Sequence, residues 1–247
     1  MLKRRSLPNR TGKWRHPYYL LFLVAIACGP RARIPTRPAV LPAALTAEHP
    51  GAVLARQLAP LLYLQRDEWF PLVRILAVVH PSRPVIAYHL LWRDDAHAAW
   101  LPFTIPTDQE VVWVGYDSTG APSDLWTYWH GSILHANWRG KGQVIVDVQW
   151  GKHGSMPSRT RERDLPLFKR LGDFYAIAWL GLPDLALGRL TRAGPLCFCH
   201  GYDRYREFNR PLLVAPLLDA TVRTESPDQT LRLLFGKTYS EKPNWPW

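Results

Sequence analysis

A chain of 247 residues that is 47% hydrophobic and holds twelve tryptophans can bury a sizeable core, which excludes a disordered chain. Its formal charge is +11, but six of the 31 basic residues (Lys3, Arg4, Arg5, Arg10, Lys13 and Arg15) fall within residues 1–27, which hold no acidic residue. The remainder carries 25 basic against 20 acidic residues and no basic block interleaved with aromatics, so nucleic acid is not an expected partner.

The basic lead runs into Tyr18–Ala27, ten apolar residues ending in Ala25-Ile26-Ala27. That run falls short of the roughly 20 residues that span a bilayer and has the pattern of a secretory signal peptide with an A-x-A cleavage site. Cys28 follows directly, as in a bacterial lipobox, although Ala25 stands three before it where Leu is usual. Acylated there, the protein would be tethered to a membrane surface without a spanning helix. Residues 1–27 are therefore expected to be a signal peptide. The protein is expected outside the cytoplasm: periplasmic, secreted or anchored as a lipoprotein. Residues 28–50, with five prolines, read as an extended linker, and residues 51–247 as a single domain.

That domain opens with "AVLARQLAP", which predicts a short helix to Leu58, with Pro60 breaking it. Five apolar runs then predict strands: "LVRILAVVH" (72–80), "PVIAYHLLW" (84–92), "EVVWVGYD" (110–117), "DLWTYWH" (124–130) and "QVIVDVQW" (143–150). No ten-residue helical pattern separates them, so the sheet should be antiparallel. Several runs are apolar on both faces, which predicts a sheet that is sandwiched or covered. Further on, "LPLFKRLGDFYAIAWLGL" (165–182) has helical spacing. The fold class that follows is mainly β, a β-sandwich of antiparallel sheets with peripheral helices, especially in the C-terminal third. In "LCFCH", Cys197, Cys199 and His200 offer three ligands for a soft metal where a structural zinc site needs four at spaced positions, so the cysteines read as structural.

The familiar catalytic signatures are missing: there is no G-x-S-x-G, H-E-x-x-H or G-x-G-x-x-G. Gly236-Lys237-Thr238 imitates the end of a P-loop, but the glycine required five residues earlier is Leu231. Polar groups instead gather at strand ends. Asp94 and Asp95 follow one strand, Asp108 and Glu110 open the next, and His130 and His153 end two others. Both histidines lead into His-Gly-Ser, at Ser132 and Ser155. Residues two apart in a strand point to one side, so Asp108 and Glu110 would share a face with Val112, Val114 and Tyr116. Taken alone, such a pair reads as a strand that begins in solvent, and each histidine as a hydrogen-bonded structural one. Brought together, they would suit a hard divalent cation such as Ca²⁺, Mg²⁺ or Mn²⁺.

The segment from about Leu58 to Pro157 resembles the superfamily that includes the necrosis-and-ethylene-inducing-peptide-like toxins and their vacuolar-sorting-type relatives. The resemblance lies in "YHLLWRDD" (88–95), "DQEVVWV" (108–114), "YWHGS" (128–132) and "GKHGS" (151–155), in that order. They stand where that superfamily has an aromatic strand followed by Asp, then His-x-x-Asp-Trp-Glu, Ser-x-His-Gly and Gly-x-His. The resemblance implies a β-sandwich and, in the toxin branch, a divalent cation in a surface cleft that binds sugar head groups of sphingolipids. Carried over by position, the metal ligands would be Asp94 or Asp95, Asp108 and Glu110. The pattern's histidine is Ile105 here and its middle tryptophan is Gln109, so one ligand is absent. No enzymatic reaction is established for that superfamily, and fold analogy does not transfer a target.

Seven of the twelve tryptophans fall in residues 92–150. Trp113 alternates with apolar neighbours and reads as core. Trp100 and Trp138, in loop-like contexts, read as exposed rings for sugar or lipid contacts. The expected function is thus a non-enzymatic, exported or lipid-anchored β-sandwich protein. Its acidic and histidine-lined cleft would bind a divalent cation and a glycan or lipid head group, with His130, Ser132, His153 and Ser155 beside the ligand. The alternatives are a metal-dependent hydrolase of phosphate or glycosidic bonds and a structural envelope lipoprotein.

Overall fold

In the computed structural model the described residues are 42–65, 68, 71–93, 108–149, 153–166, 208–236 and 239–247. The first element is helix α1 (Pro50–Gln57). Proline at its start lacks only an N–H that would have no helical partner, and His49 Nδ1 accepts the Gly51 N–H at 3.0 Å. The helix turns Ala52 and Ala55 inward and stops at Leu58, before Pro60. Upstream of it, the Leu45 N–H donates to Thr221 O, so the chain is already attached to the sheet there.

Ten strands follow among the described residues: β1 (Leu61–Gln65), β2 (Leu72–Val79), β3 (Val85–Trp92), β4 (Asp108–Tyr116), β5 (Pro122–Trp129), β6 (Ser132–Asn137), β7 (Ile145–Val148), β8 (Ser155–Pro157), β9 (Phe208–Leu213) and β10 (Ala220–Arg223). A second helix, α2 (Pro227–Phe235), comes after β10. The strands form a four-stranded sheet in the order β8-β7-β1-β9 and a six-stranded sheet in the order β10-β2-β3-β4-β5-β6. Neighbours are antiparallel except β1 with β7 and β10 with β2, which run parallel. The architecture is mainly β, as the strand runs predict.

The larger sheet is buried on both faces. Ile75, Ala77, Ile86, Tyr88, Leu90, Val112 and Val114 meet Leu62, Leu64, Val146 and Val148 of the smaller sheet. On its other face, Leu76, Val78, Ala87, Val111 and Trp113 lie under Leu231 and Phe235 of α2 and under Trp245. This double covering explains why all eight residues of β3 are buried and why its sequence shows no polar alternation. Edge strand β6 has one covered face, and its exposure alternates residue by residue. Within the inner layer the Tyr88 hydroxyl donates to Ala55 O at 2.8 Å, so that buried polar group is satisfied.

Residues 239–247 run alongside β4 on its outer face. The Ser240 N–H donates to Gln109 Oε1 at 3.1 Å, and Trp113 Nε1 donates to Asn244 O at 3.0 Å. Trp245 Nε1 in turn donates to Glu225 O at 2.8 Å, just ahead of α2. Gly236, which suggested a P-loop end, is the C-cap of α2 with φ of 57°, a conformation that favours glycine. Of the predicted 165–182 helix, only residues 165 and 166 are described, in a bend and a turn; the rest, with Cys197, Cys199 and His200, lies outside the described residues.

One expectation is corrected here. Trp138 is 6% exposed and packs into the inner core. Its Nε1 lies 3.2 Å from Gly142 O and 3.3 Å from Gln143 O. The loop curls back over the ring, with Lys141 Nζ 5.1 Å from its centroid.

Candidate functional site

Three of the four strand-end segments meet at one end of the sandwich. At the β5–β6 turn His130 and Gly131 take φ of 43° and 90°, and Trp129 pairs with Ser132. A two-residue hairpin with both central residues left-handed matches the twist of its strands. At the β7–β8 turn His153, with φ of 52°, donates its N–H to Gln149 O at 3.0 Å, and the Gln149 N–H donates to Gly154 O at 3.0 Å. Gly154 brings the two turns into contact. A Cβ there would lie 2.9 Å from the Trp129 ring and 3.0 Å from His130 Nε2 and from Gln149 Oε1.

His153 is the centre of this end. It is fully buried, with Nδ1 3.0 Å from Asp108 Oδ2 and Nε2 3.4 Å from Glu68 Oε1. Its ring lies flat on Trp92, centroids 4.2 Å apart and planes within 4°. Burial alone would push the imidazole pKa down, but the Glu68 and Asp108 carboxylates outweigh it and raise the pKa to about 9. The ring is therefore an imidazolium at neutral pH, shared between two carboxylates and resting on an indole face. In that state it has no lone pair with which to take a proton. It remains able to donate one, as the general acid of the hydrolase alternative would, and His130 is that alternative's other histidine.

Glu110 has its own cation. It is 5% exposed, not at a wet strand entrance, and its Oε1 lies 3.4 Å from Lys242 Nζ. That ammonium also stands 4.6 Å from the centre of the Tyr128 ring. Burial raises the Glu110 carboxyl pKa, Lys242 pulls against the rise and Asp108 adds to it. Burial opposes the Lys242 charge as well, but Glu110 and Asp108 together hold the Lys242 pKa above its ordinary value. The neighbouring Gln109 anchors Ser240. The two positions Gln109 and Glu110 thus hold the segment that delivers Lys242.

His130 is bound differently, with Nε2 2.5 Å from Gln149 Oε1 and its ring edge-on to Trp129 at 4.7 Å. Ser132, half-buried, closes the same hairpin. Ser155 is fully buried, and its hydroxyl donates to His153 O at 3.3 Å, so it braces the turn. Asp94, Asp95, Trp100, Ile105 and Cys28 lie outside the described residues. Reading the sequence missed Glu68, Trp92, Gln149 and Lys242. Trp92 next to "RDD" was the available signal; nothing local marks Lys242, which is 132 positions from its partner.

Among the described residues the expected metal donors already face partners of the chain itself, while Asp94 and Asp95 lie outside those residues. Both His153 nitrogens already face carboxylates, and a lysine ammonium stands against Glu110. No group of three or more His, Cys, Asp or Glu among the described residues is arranged to hold a metal ion. The His153 imidazolium offsets the Asp108 and Glu68 charges, and Lys242 stands against Glu110, so the chain itself supplies the cations beside these carboxyl groups.

No protein-family profile matches the chain, and no curated protein matches it. Among solved structures it is similar to NLPPya in complex with glucosamine, at 12% identity over 49% of this chain and 74% of that chain, with a TM-score of 0.36. The mannosamine complex of NLPPya matches at 13% identity over 49% and 73%, with a TM-score of 0.35. Necrosis and Ethylene inducing Protein 2, from the causal agent of cocoa's Witches Broom disease, matches at 14% identity over 61% and 93%, with a TM-score of 0.31. These are proteins of the toxin branch, and the vacuolar-sorting side of the resemblance gains no support. What this chain does has to be argued from its own site.

Proposed function

We propose that this chain is an exported, non-enzymatic binding protein whose charged strand end takes a polar surface ligand, a glycan or a lipid head group. One observation carries the reading. Asp108, with its side chain 15% exposed, is the outward member of a cluster whose other members, Glu68 and His153, are 3% and 0% exposed. Ionised groups packed this deeply cluster at functional sites, and the cluster presents one fixed carboxylate bonded to the His153 turn. A fixed acceptor next to an imidazole suits sugar hydroxyl and amino groups.

Export rests on the N-terminal pattern together with Cys28, whose acylation would bring the cleft to a membrane surface. No helix among the described residues is long and apolar enough to cross a membrane. The divalent cation implied by the sequence resemblance is not required by this reading.

The direct test is titration of glucosamine and mannosamine, and of vesicles carrying a glycosylated lipid, onto wild type, Asp108→Asn and His130→Ala. Binding by wild type that both variants weaken at least tenfold supports the site. Equal binding by all three, or none by wild type, overturns it. Melting curves with Ca²⁺, Mg²⁺, Mn²⁺ or a chelator should coincide; a saturable rise with one ion would restore the metal. Fractionation of Cys28→Ser tests the anchor, which predicts membrane association in wild type only.

A further inference from the structure

The hairpin that carries His153 at its turn has a second end. There β7 begins at Ile145, β8 finishes at Pro157, and the chain turns through Ser158, Arg159 and Thr160 beside an open cavity of about 490 Å³. Arg159 sits there with φ of 68°, in the left-handed region that a side chain with a Cβ normally avoids. Asp147 holds it in place. This residue is 9% exposed, and its Oδ2 accepts the Arg159 N–H at 3.1 Å. The Ser158 side chain bonds the same carboxylate.

Backbone strain of this kind concentrates at binding sites, where it fixes the aim of a group. The group aimed here is a guanidinium, at the wall of the cavity. Arg161 lines the same wall and bonds Asp164 Oδ2 through Nε at 2.6 Å, which leaves its two terminal nitrogens for a ligand. The half-buried rings of Tyr63 and Phe208 form the other walls. Arg159 also borders a second cavity of about 360 Å³, where Lys141 extends the cationic rim.

Two guanidinium forks recognise a planar or tetrahedral acid group, and aromatic faces pack against the apolar side of a sugar ring. Asp147 also lines this cavity, but its carboxylate is engaged by the Arg159 N–H and the Ser158 side chain, which offsets its repulsion of an anion. We propose that this cavity binds an acidic saccharide, a uronate or a sulfated sugar, with Arg159 and Arg161 on the acid group and Tyr63 and Phe208 against the ring. The site is separate from the strand-end cleft and stands or falls apart from it.

The test uses a galacturonate trimer and a sulfated galactose, with a neutral glucose trimer and inorganic sulfate as controls. These are titrated onto the full chain and onto Arg159→Gly, Arg161→Gln, Arg83→Gln and Asp108→Asn. Wild type should bind an acidic saccharide at least tenfold more tightly than either control. Arg159→Gly and Arg161→Gln should each lose at least tenfold, and Arg83→Gln, which removes an exposed arginine outside this cavity, should be unchanged. Arg159→Gly is the decisive variant, because glycine accepts that φ without strain and so should melt no lower than wild type while losing the ligand. Four results would overturn the proposal: no binding, equal binding of the neutral trimer, binding of sulfate alone with equal strength, or full binding by Arg159→Gly. Loss in Asp108→Asn alone would also overturn it, and would place the saccharide in the strand-end cleft.

Discussion

His130-Gly131-Ser132 and His153-Gly154-Ser155 share three residues and a left-handed histidine, yet the two rings end among different partners. His153 is fully buried between two carboxylates and lies on Trp92, while His130 is half-buried against an amide. The local sequence sets the turn in both cases. The charge on the ring comes from residues far away, 45 positions in the case of Asp108.

Removing each ring should separate the two turns most sharply. His153→Ala strands Glu68 and Asp108 in the interior without their cation. Denaturant unfolding should show a loss of about 3–5 kcal/mol, the range for breaking a buried ion pair. The pH profile should carry the same signature. His153 is raised from 6.5 to about 9 and Glu110 from 4.5 to about 8, so the folded chain keeps protons that the unfolded chain has released. Stability then falls as pH rises, from 4.5 to about 8 through Glu110 and from 6.5 to about 9 through His153.

His89 works in the other direction. Buried and lowered to about 3, it makes the unfolded chain the better proton acceptor below 6.5, so stability falls on acidification. The melting temperature should therefore peak at about pH 5 to 6, and His153→Gln should flatten the alkaline limb. An unchanged limb would show that His153 is not the titrating group.

The glycines sharpen the comparison further. Gly154→Ala drives a Cβ to 2.9 Å from the Trp129 ring, and overpacking of that kind costs about 1–3 kcal/mol. Gly131 has open space around its missing Cβ but a φ of 90°, so Gly131→Ala should show backbone strain alone, about 1 kcal/mol. Smallest of all, His130→Ala removes the half-buried hydrogen bond to Gln149 and should cost about 1 kcal/mol. A His130→Ala loss as large as that of His153→Ala would mean that the two turns are not different after all.

The sequence revealed the long strands and the double covering of the larger sheet because β2, β3 and β4 are apolar on both faces. It also brought the strand ends under suspicion. The rest depended on distance. β1, β8 and β10 are three to five residues long and are recognisable only beside their partners. Trp138 looked like a loop residue because nothing near it predicts that the chain folds back to accept its N–H. The absent tryptophan of the sequence pattern, Gln109, read as a gap, whereas its amide is where Ser240 attaches. Glu110 read as a place for a metal because its lysine arrives from the other end of the chain.

The pairing of β10 with β2 has a consequence for assembly. β2 reads "LVRILAVV", and the strand on its outer side, β10, is four residues long and comes directly after Asp219, whose carboxylate accepts the Ile75 N–H across 144 positions. Until that distant segment docks, β2 presents an unpaired row of backbone donors and acceptors on an apolar strand, the kind of edge that recruits other chains. Folding of such long-range pairs is slow. The step most exposed to aggregation is thus the arrival of four residues, and any cleavage between residues 93 and 220 that released them would turn a closed sheet into a template.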